Sequence, residues 1–410
     1  MANAGERHRL KVAYLCDFSP LDGNLYSGGN ARLFRALQDH VGDVTILPNH
    51  WGLAEPLRRA ILALPEALTI RLRWRAHLVL SPLIARVVNR ALRRGDYDVL
   101  FCAYSFQSLA AVRPPDDVLT VYTSDATPTI YKNSAIGRSF GSFFGPSRLL
   151  DPAIERAEGR IFSRVDLLVW PSNWLRSRVA ARYDVDPSRS VKVPWGANID
   201  DPEPASEPPR LSPDAPVRLL MVGRDWRAKG GPTTLATLRE LQARGVDATL
   251  DIVGCDPDEA RGVPGVTIHA SLDKSDPDQL ARFQDLYRTS HFFVMPSFES
   301  FGFAYCEASA FGLPSLCLSV GGIPVLDGRN GHALDIGAEA TDFADRIADY
   351  LADPAAYDAL RVSTRAEYDE RLNWDAWGRK VRELIAGAMD TRARTVSAPS
   401  PEERHGPSAA

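Results

Sequence analysis

The stretch Val294-Met-Pro-Ser-Phe-Glu-Ser-Phe-Gly-Phe-Ala-Tyr-Cys-Glu-Ala-Ser-Ala-Phe-Gly-Leu-Pro314 decides how the chain is read. It is entered through an apolar run, residues 292–295, which predicts a buried strand. Pro296 ends that strand, because it has no backbone donor. A short polar loop carries Glu299, and residues 300–302 open a helix expected to run to about 311. Gly312 suits the C-terminal cap, Pro314 blocks continuation, and residues 315–318 form the next strand.

Strand, loop and helix in this order belong to an α/β pattern, where ligands bind outside the carboxyl ends of the strands. The helix N-terminus offers unpaired N–H groups and a partial positive charge, which suits phosphate. Gly302 lets backbone approach a ligand closely. Glu299 and Glu307 flank this anion site and would repel phosphate, so they suit sugar hydroxyls better. Either carboxylate alone also fits a solvated surface position. Glu307, however, sits among Ala, Ser, Cys and Phe, where an idle carboxylate is costly to bury.

Glu299 and Glu307, set within Pro-Ser-Phe-Glu-Ser-Phe-Gly-Phe and Glu-Ala-Ser-Ala-Phe-Gly-Leu-Pro, resemble the donor signature of the retaining glycosyltransferases of family 4, glycosyl transferases group 1. Roughly twenty consecutive positions fit. The resemblance implies an α/β fold of GT-B architecture, two Rossmann-like domains with parallel sheets facing across a cleft. It implies transfer of a hexose-type sugar from a UDP- or GDP-sugar to a hydroxyl acceptor. That acceptor would be a polysaccharide precursor, a lipid-linked molecule or a secondary metabolite. Glu299 would hold the sugar, Glu307 would accept from the ribose, and Phe301, Gly302 and Phe303 would offer N–H groups to the diphosphate. The alternative is a non-catalytic nucleotide-sugar-binding homologue or partner subunit.

At 410 residues the chain exceeds one compact core and suggests two domains. A hydrophobic share of 45% and a charged share of 24% are ordinary for a globular protein. The net charge of −4 speaks against a general nucleic-acid binder. Six of the 48 basic residues are Lys and the other 42 are Arg, a bias expected of a GC-rich bacterial genome. The five cysteines, Cys16, Cys102, Cys255, Cys306 and Cys317, are scattered through apolar runs without zinc or disulfide spacing. They read as buried thiols in a reducing cytoplasm. Residues 1–9 show no signal-peptide pattern, and no apolar run approaches the roughly 20 residues of a membrane span.

The first strand, residues 10–16, leads to a loop containing Gly28 and Gly29 and then to a helix. This is not the G-x-G-x-x-G fingerprint, which argues against a dinucleotide enzyme. By the resemblance, the glycine pair faces the donor phosphates. Residues 57–94 hold nine Arg against the single acid Glu66. Three readings fit: ordinary helices with Arg on the wet side, basic amphipathic helices on an anionic membrane surface, or recognition of an anionic acceptor. The second would make the protein peripheral to the inner face of the membrane.

After the strand at 118–122, many family members carry a His in the loop; here Ser124 and Asp125 stand there. Asp125 is the polar candidate for the reacting centre, and it equally suits a turn cap. Six prolines within residues 201–216 mark a linker or extended surface segment. A second α/β series starts at 217, and its first loop carries Arg224 and Lys229, five residues apart. In the family this arrangement clamps the diphosphate, Arg as a fork and Lys as a point charge. The expected catalytic set is therefore Glu299, Arg224, Lys229 and Asp125. Lys274 is a candidate neighbour of the base. The Asp-x-Asp triplets at 184/186, 256/258 and 276/278 lie in turns and are not read as metal sites, so neither a metal nor a cofactor is expected. Gly321 to Gly331 also resembles the family, but 324–327 is short and lacks the usual acid after Pro324.

The expected organisation is an N-terminal acceptor domain over 10–200, the linker 201–216 and a donor domain over 217–373. A helix at 374–390 should cross back to the first domain. Disorder is expected at 1–9 and 391–410.

Overall fold

The computed structural model describes residues 9–397, except 24, 49, 64–65, 140–148, 201 and 203–208. The segments 1–8 and 398–410, expected to be disordered, and most of the linker lie outside the described residues. Residue 9 is held in place: Arg9 Nε donates to Asp43 at 2.9 Å.

The N-terminal half runs β1 (Leu10–Leu15), α1 (Gly29–His40), β2 (Gly42–Ile46), α2 (Glu55–Leu62), α3 (Glu66–Arg94), β3 (Val99–Ala103) and α4 (Phe106–Leu109). It continues with β4 (Leu119–Thr123), α5 (Pro128–Lys132), α6 (Ala135–Ser139), α7 (Asp151–Arg164), β5 (Leu167–Trp170), α8 (Asn173–Arg182) and β6 (Ser190–Lys192). The C-terminal half runs β7 (Val217–Val222), α9 (Gly231–Ala243), β8 (Ala248–Val253), β9 (Val266–His269), α10 (Pro277–Thr289) and β10 (Phe292–Val294). Then come α11 (Phe303–Ala310), β11 (Ser315–Leu318), β12 (Gly331–Leu334), α12 (Ala340–Ala352), α13 (Pro354–Arg371) and α14 (Trp374–Ser397).

The strands form two six-stranded parallel sheets, ordered β2-β1-β3-β4-β5-β6 and β12-β11-β10-β7-β8-β9. Strands β3, β4 and β5 are buried along their whole length, as helices on both faces require. In each sheet the chain first builds outward to one side and then returns to build on the other. The reversal falls between β1 and β3 in the first sheet and between β7 and β10 in the second. A doubly wound sheet opens a crevice at such a point.

The two halves share one core. Val12, Tyr14, Phe101 and Trp195 of the first pack in the same apolar cluster as Leu220, Phe301, Tyr305 and Trp377 of the second. The chain crosses between halves twice, side by side: Ala197 N–H donates to Leu372 O at 2.9 Å. A Cβ on Gly196 would come within 2.5 Å of the Asn373 backbone, so only glycine allows this approach. Helix α14 then lies on the N-terminal half, with Trp377, Val381 and Ile385 fully buried and the Trp377 ring 6.0 Å from Phe101. Burying each such side chain is worth about 1.5–3 kcal/mol.

Three expectations need correction. The helix expected to end at 390 continues to Ser397, because Arg392 donates to Asp116 O and pairs with Asp166 at 3.7 Å. The linker is not wholly a surface segment: Pro202 and Leu211 are buried, and Arg210 O accepts from His291 Nε2 at 3.1 Å. The nine Arg of 57–94 are not all on the wet side. Arg75 is buried against Asp151 at 2.8 Å, and Arg58 donates to Glu55 and Asp17 O. Arg59, Arg86, Arg90, Arg93 and Arg94 are exposed, and the side chains of Arg71 and Arg73 lie outside the described residues. Among the described residues, no helix is long and apolar enough to cross a membrane.

Candidate active site

The second sheet contributes two loops, one from each strand beside its switch point. After β7, the chain turns through Gly223 to Gly230. The Lys229 side chain folds over Gly223, whose added Cβ would meet it at 2.5 Å. Gly230 has φ 77 and packs on the Pro296 backbone, so the first loop is seated on the second. Lys229 Nζ donates to Glu299 Oε1, joining the two loops by an ion pair. Arg224 is exposed and makes no hydrogen bond or ion pair among the described residues. Lys229 and Glu299 therefore meet, while Arg224 stands apart in solvent.

After β10, Ser297 Oγ donates to Glu299 Oε1 at 3.3 Å, and the Glu299 carbonyl accepts from Gly322 N–H at 3.3 Å. Both faces of Glu299 are thus tied down. Helix α11 starts at Phe303, later than expected, because Gly302 adopts φ 87 and serves as the N-cap. The first N–H groups of a helix have no intrahelical acceptor, so they face outward here. At its other end, Leu313 N–H reaches Ala308 O at 2.9 Å and Gly312 N–H reaches Ser309 O at 3.0 Å. With Gly312 at φ 63 this is a Schellman cap, as its position in the sequence suggested.

Glu307 is 5% exposed and is not idle. Lys274 Nζ and the Tyr287 hydroxyl each donate to it at 3.2 Å. Lys274 also lies over the Phe283 ring at 4.2 Å, so its cation is held beside the carboxylate from two sides.

The Asp-x-Asp triplets all have local tasks. Asp186 caps a turn at Ser188, Asp276 caps α10, and Asp256 and Asp258 both pair with Arg261.

The first sheet faces these loops. Gly28 has φ 87, and Gly29 begins α1 directly against the Phe303 ring, which an added Cβ would meet at 2.6 Å. The N-termini of α1 and α11 therefore converge. Trp195 stacks on Phe303 at 5.6 Å and 6°, closing the base of this junction. Asp125 reaches across the cleft and accepts from the Ser300 hydroxyl. Burial pushes its carboxyl above the usual range; the Ser300 hydrogen bond opposes this and the nearby Glu299 charge adds to it. Behind the Asp125 loop, buried Glu158 accepts from Thr129 N–H at 3.1 Å and from the Tyr183 hydroxyl.

Sequence reasoning missed the aromatic side of the cleft. Tyr26, Ser27 and Tyr104 have φ of 51, 54 and 62, the positive-φ non-glycine residues of the described chain. Each costs on the order of 1–3 kcal/mol. The rings of Tyr26 and Tyr104 stack at 4.1 Å and 7°. Nothing in residue type marks such a pair, since a left-handed tyrosine is set by tertiary context.

The chain matches two families over adjoining stretches. Residues 216–353 match "Glycosyl transferases group 1" and residues 30–201 match "Glycosyltransferase Family 4". It is 28% identical over 271 residues to a GDP-mannose-dependent alpha-(1-6)-phosphatidylinositol monomannoside mannosyltransferase of Mycolicibacterium smegmatis, covering 59% of this chain and 67% of that one. It is 30% identical over 261 residues to a D-inositol 3-phosphate glycosyltransferase of Catenulispora acidiphila, covering 58% of each. The alignments thus span about three fifths of such relatives' own length. Among solved structures, sucrose-phosphate synthase from Thermosynechococcus elongatus superposes with a TM-score of 0.64 at 18% identity, covering 94% of this chain and 100% of that one. WaaG, a glycosyltransferase involved in lipopolysaccharide biosynthesis, gives 0.57 at 17% identity, with coverages of 92% and 100%. Two doubly wound domains, a helix N-terminus between paired glutamates and both family matches lead to one assignment: the chain belongs to the family 4 glycosyltransferases and has their GT-B fold.

Proposed function

We propose that the protein transfers a hexose-type unit, with retention of configuration, from a UDP- or GDP-sugar to a hydroxyl acceptor. The C-terminal half holds the donor and the N-terminal half shapes the acceptor site. The observation that carries this reading is the Lys229–Glu299 pair beside the N-terminus of α11, facing Gly29 across the cleft. A diphosphate there would compete with Glu299 for Lys229, freeing the carboxylate to hold sugar hydroxyls. Arg224, exposed on the same loop, completes the clamp from solvent. Fixed cations and two helix N-termini together stabilise the charge that develops on the leaving diphosphate. Transfer of this kind proceeds without a divalent metal. Glu307 accepts from the ribose hydroxyls, exchanging the Lys274 contact for them.

The donor choice is supported by the names of similar proteins. One relative is GDP-mannose-dependent, and the similar structure of HepE from Anabaena holds UDP and glucose. The relatives' names make phosphorylated inositols the first acceptors to test. A cytoplasmic protein touching the inner face of an anionic membrane through 57–94 fits the exposed Leu53 and Leu57 beside exposed Arg59. A thermal-shift screen of nucleotide sugars, then transfer assays by mass spectrometry in excess chelator, tests the whole reading. Stabilisation by a nucleotide sugar and product formed with chelator present are expected. No stabilisation by any nucleotide sugar overturns the donor assignment, and transfer that needs added magnesium or manganese overturns the metal-free mechanism.

A further inference from the structure

We propose that the Tyr104 hydroxyl contacts substrate, donating a hydrogen bond to a phosphate oxygen bound between the N-termini of α1 and α11. This rests on the donor reading above and adds a residue to it. Tyr104 is the residue immediately after β3, beside the switch point of the first sheet. The hydroxyl is buried and has no hydrogen-bond partner among the described residues. Buried hydroxyls are normally paired, so one left unpaired needs an account. Its direction supplies one: a Cβ on Gly29 would lie 2.9 Å from this oxygen and 2.6 Å from the Phe303 ring. The hydroxyl therefore sits where the first residue of α1 meets the first residue of α11. Both helix ends direct partial positive charge to that point. The chemistry gathered there recognises an anion with several acceptor oxygens.

Packing alone does not explain the tyrosine. Phe at 104 would fill the stack on Tyr26 equally well, without an orphaned oxygen. The backbone is also held in a costly conformation, φ 62, by Tyr104 N–H to Thr123 O at 2.9 Å and Phe106 N–H to Tyr104 O at 3.1 Å. Strain maintained at the mouth of a crevice fits a group preorganised for a ligand. Burial, with the Asp125 charge behind it, raises the phenol well above its ordinary range, so it remains a donor at neutral pH.

The test is Tyr104→Phe, which removes one oxygen. Melting temperature should stay at or slightly above wild type, because no internal hydrogen bond is lost. Calorimetric titration then separates the two phosphate sources. Roughly tenfold weaker binding of UDP or GDP assigns the contact to the donor diphosphate, the scale of one hydrogen bond to a charged group. Unchanged nucleotide binding with weakened inositol 3-phosphate binding, and unchanged binding of inositol itself, assigns it to an acceptor phosphate. Unchanged binding of all of them overturns the proposal. Lys229→Ala, measured alongside, keeps the two claims apart. If it loses nucleotide binding and Tyr104→Phe does not, only the tyrosine proposal fails. If wild type binds neither nucleotide, the donor reading fails and takes this one with it.

Discussion

The two switch points are built to the same plan and held in opposite ways. In the second sheet the two glutamates beside the switch point both have internal partners. Lys229 meets Glu299, Glu307 is held by Lys274 and Tyr287, and α11 is capped at both ends by left-handed glycines. In the first sheet the comparable positions carry strain. Tyr26 and Tyr104 are left-handed, the Tyr104 hydroxyl is unpaired among the described residues, and Asp125 reaches across the cleft to Ser300. The second half is a finished site that exchanges its internal partners for ligand. The first is unfinished, and a ligand would complete it.

If that contrast holds, removing a charge from the finished side costs most. Lys229→Ala and Arg224→Ala should each lower turnover by roughly 10²–10³, the effect of losing one preorganised charge stabiliser. Lys229→Ala should also destabilise modestly, since it leaves Glu299 without its cation, whereas exposed Arg224 should not affect melting. Wild-type turnover in both variants would remove the clamp.

The two glutamates sharpen the comparison within one half. Glu299→Gln should lower kcat by about 10² with little change in donor KM, as expected for a group contacting the transferred unit. Glu307→Gln should raise donor KM more than it lowers kcat, because the ribose does not change during reaction. Identical kinetic patterns in the two variants would end the division of roles.

The unfinished side predicts the reverse relation between function and stability. The folded protein raises the Asp125 carboxyl, chiefly by burial, so the native state holds its proton more tightly than the unfolded chain. Stability therefore falls as pH rises from the unfolded value, about 3.9, through the folded one, and the penalty persists above both. Asp125→Asn removes that penalty. It should melt at or above wild type at pH 7, with the gap closing below about pH 4, while turnover drops roughly tenfold for one lost charged hydrogen bond. A variant that is less stable at neutral pH yet fully active would contradict both halves of the argument.

The smallest effect concerns the outer face of the first half. Liposome sedimentation should show binding that grows with acidic lipid and weakens with salt, through the exposed Arg59, Arg86 and Arg90 and the exposed Leu57. No binding to acidic vesicles at low salt would leave these arginines as ordinary solvated residues.

The same contrast explains what the sequence revealed. The second-sheet side is contiguous: a strand, a carboxylate, a helix N-terminus and a second carboxylate follow one another along one stretch of the chain. Glu299, Gly302, Glu307 and Gly312 are therefore legible as a string. The alternation of strands and helices made the two parallel sheets legible for the same reason. The first-sheet side is assembled from single residues far apart, Gly29, Tyr104, Asp125 and Trp195, whose meeting only the fold determines. The Arg-rich segment stayed open to three readings because spacing cannot tell an exposed Arg from one buried against Asp151, 76 residues away. The tail was read as disordered from its composition, and its first turns are helical because Arg392 finds Asp116 and Asp166 in the first half.

The return of α14 has a consequence for engineering. Donor specificity in such a chain invites module exchange, and the proline-rich segment looks like the natural seam. It is only half of one. The unit that folds with the first sheet includes Trp377, Val381 and Ile385, so a graft cut once at the linker would strip the recipient of its own wall and import a foreign one. A viable chimera needs two junctions, near residues 200 and 373, with the native final helix retained. On the proposed reading of the C-terminal half as the donor holder, donor preference would then be inherited as an insertion rather than as a terminus.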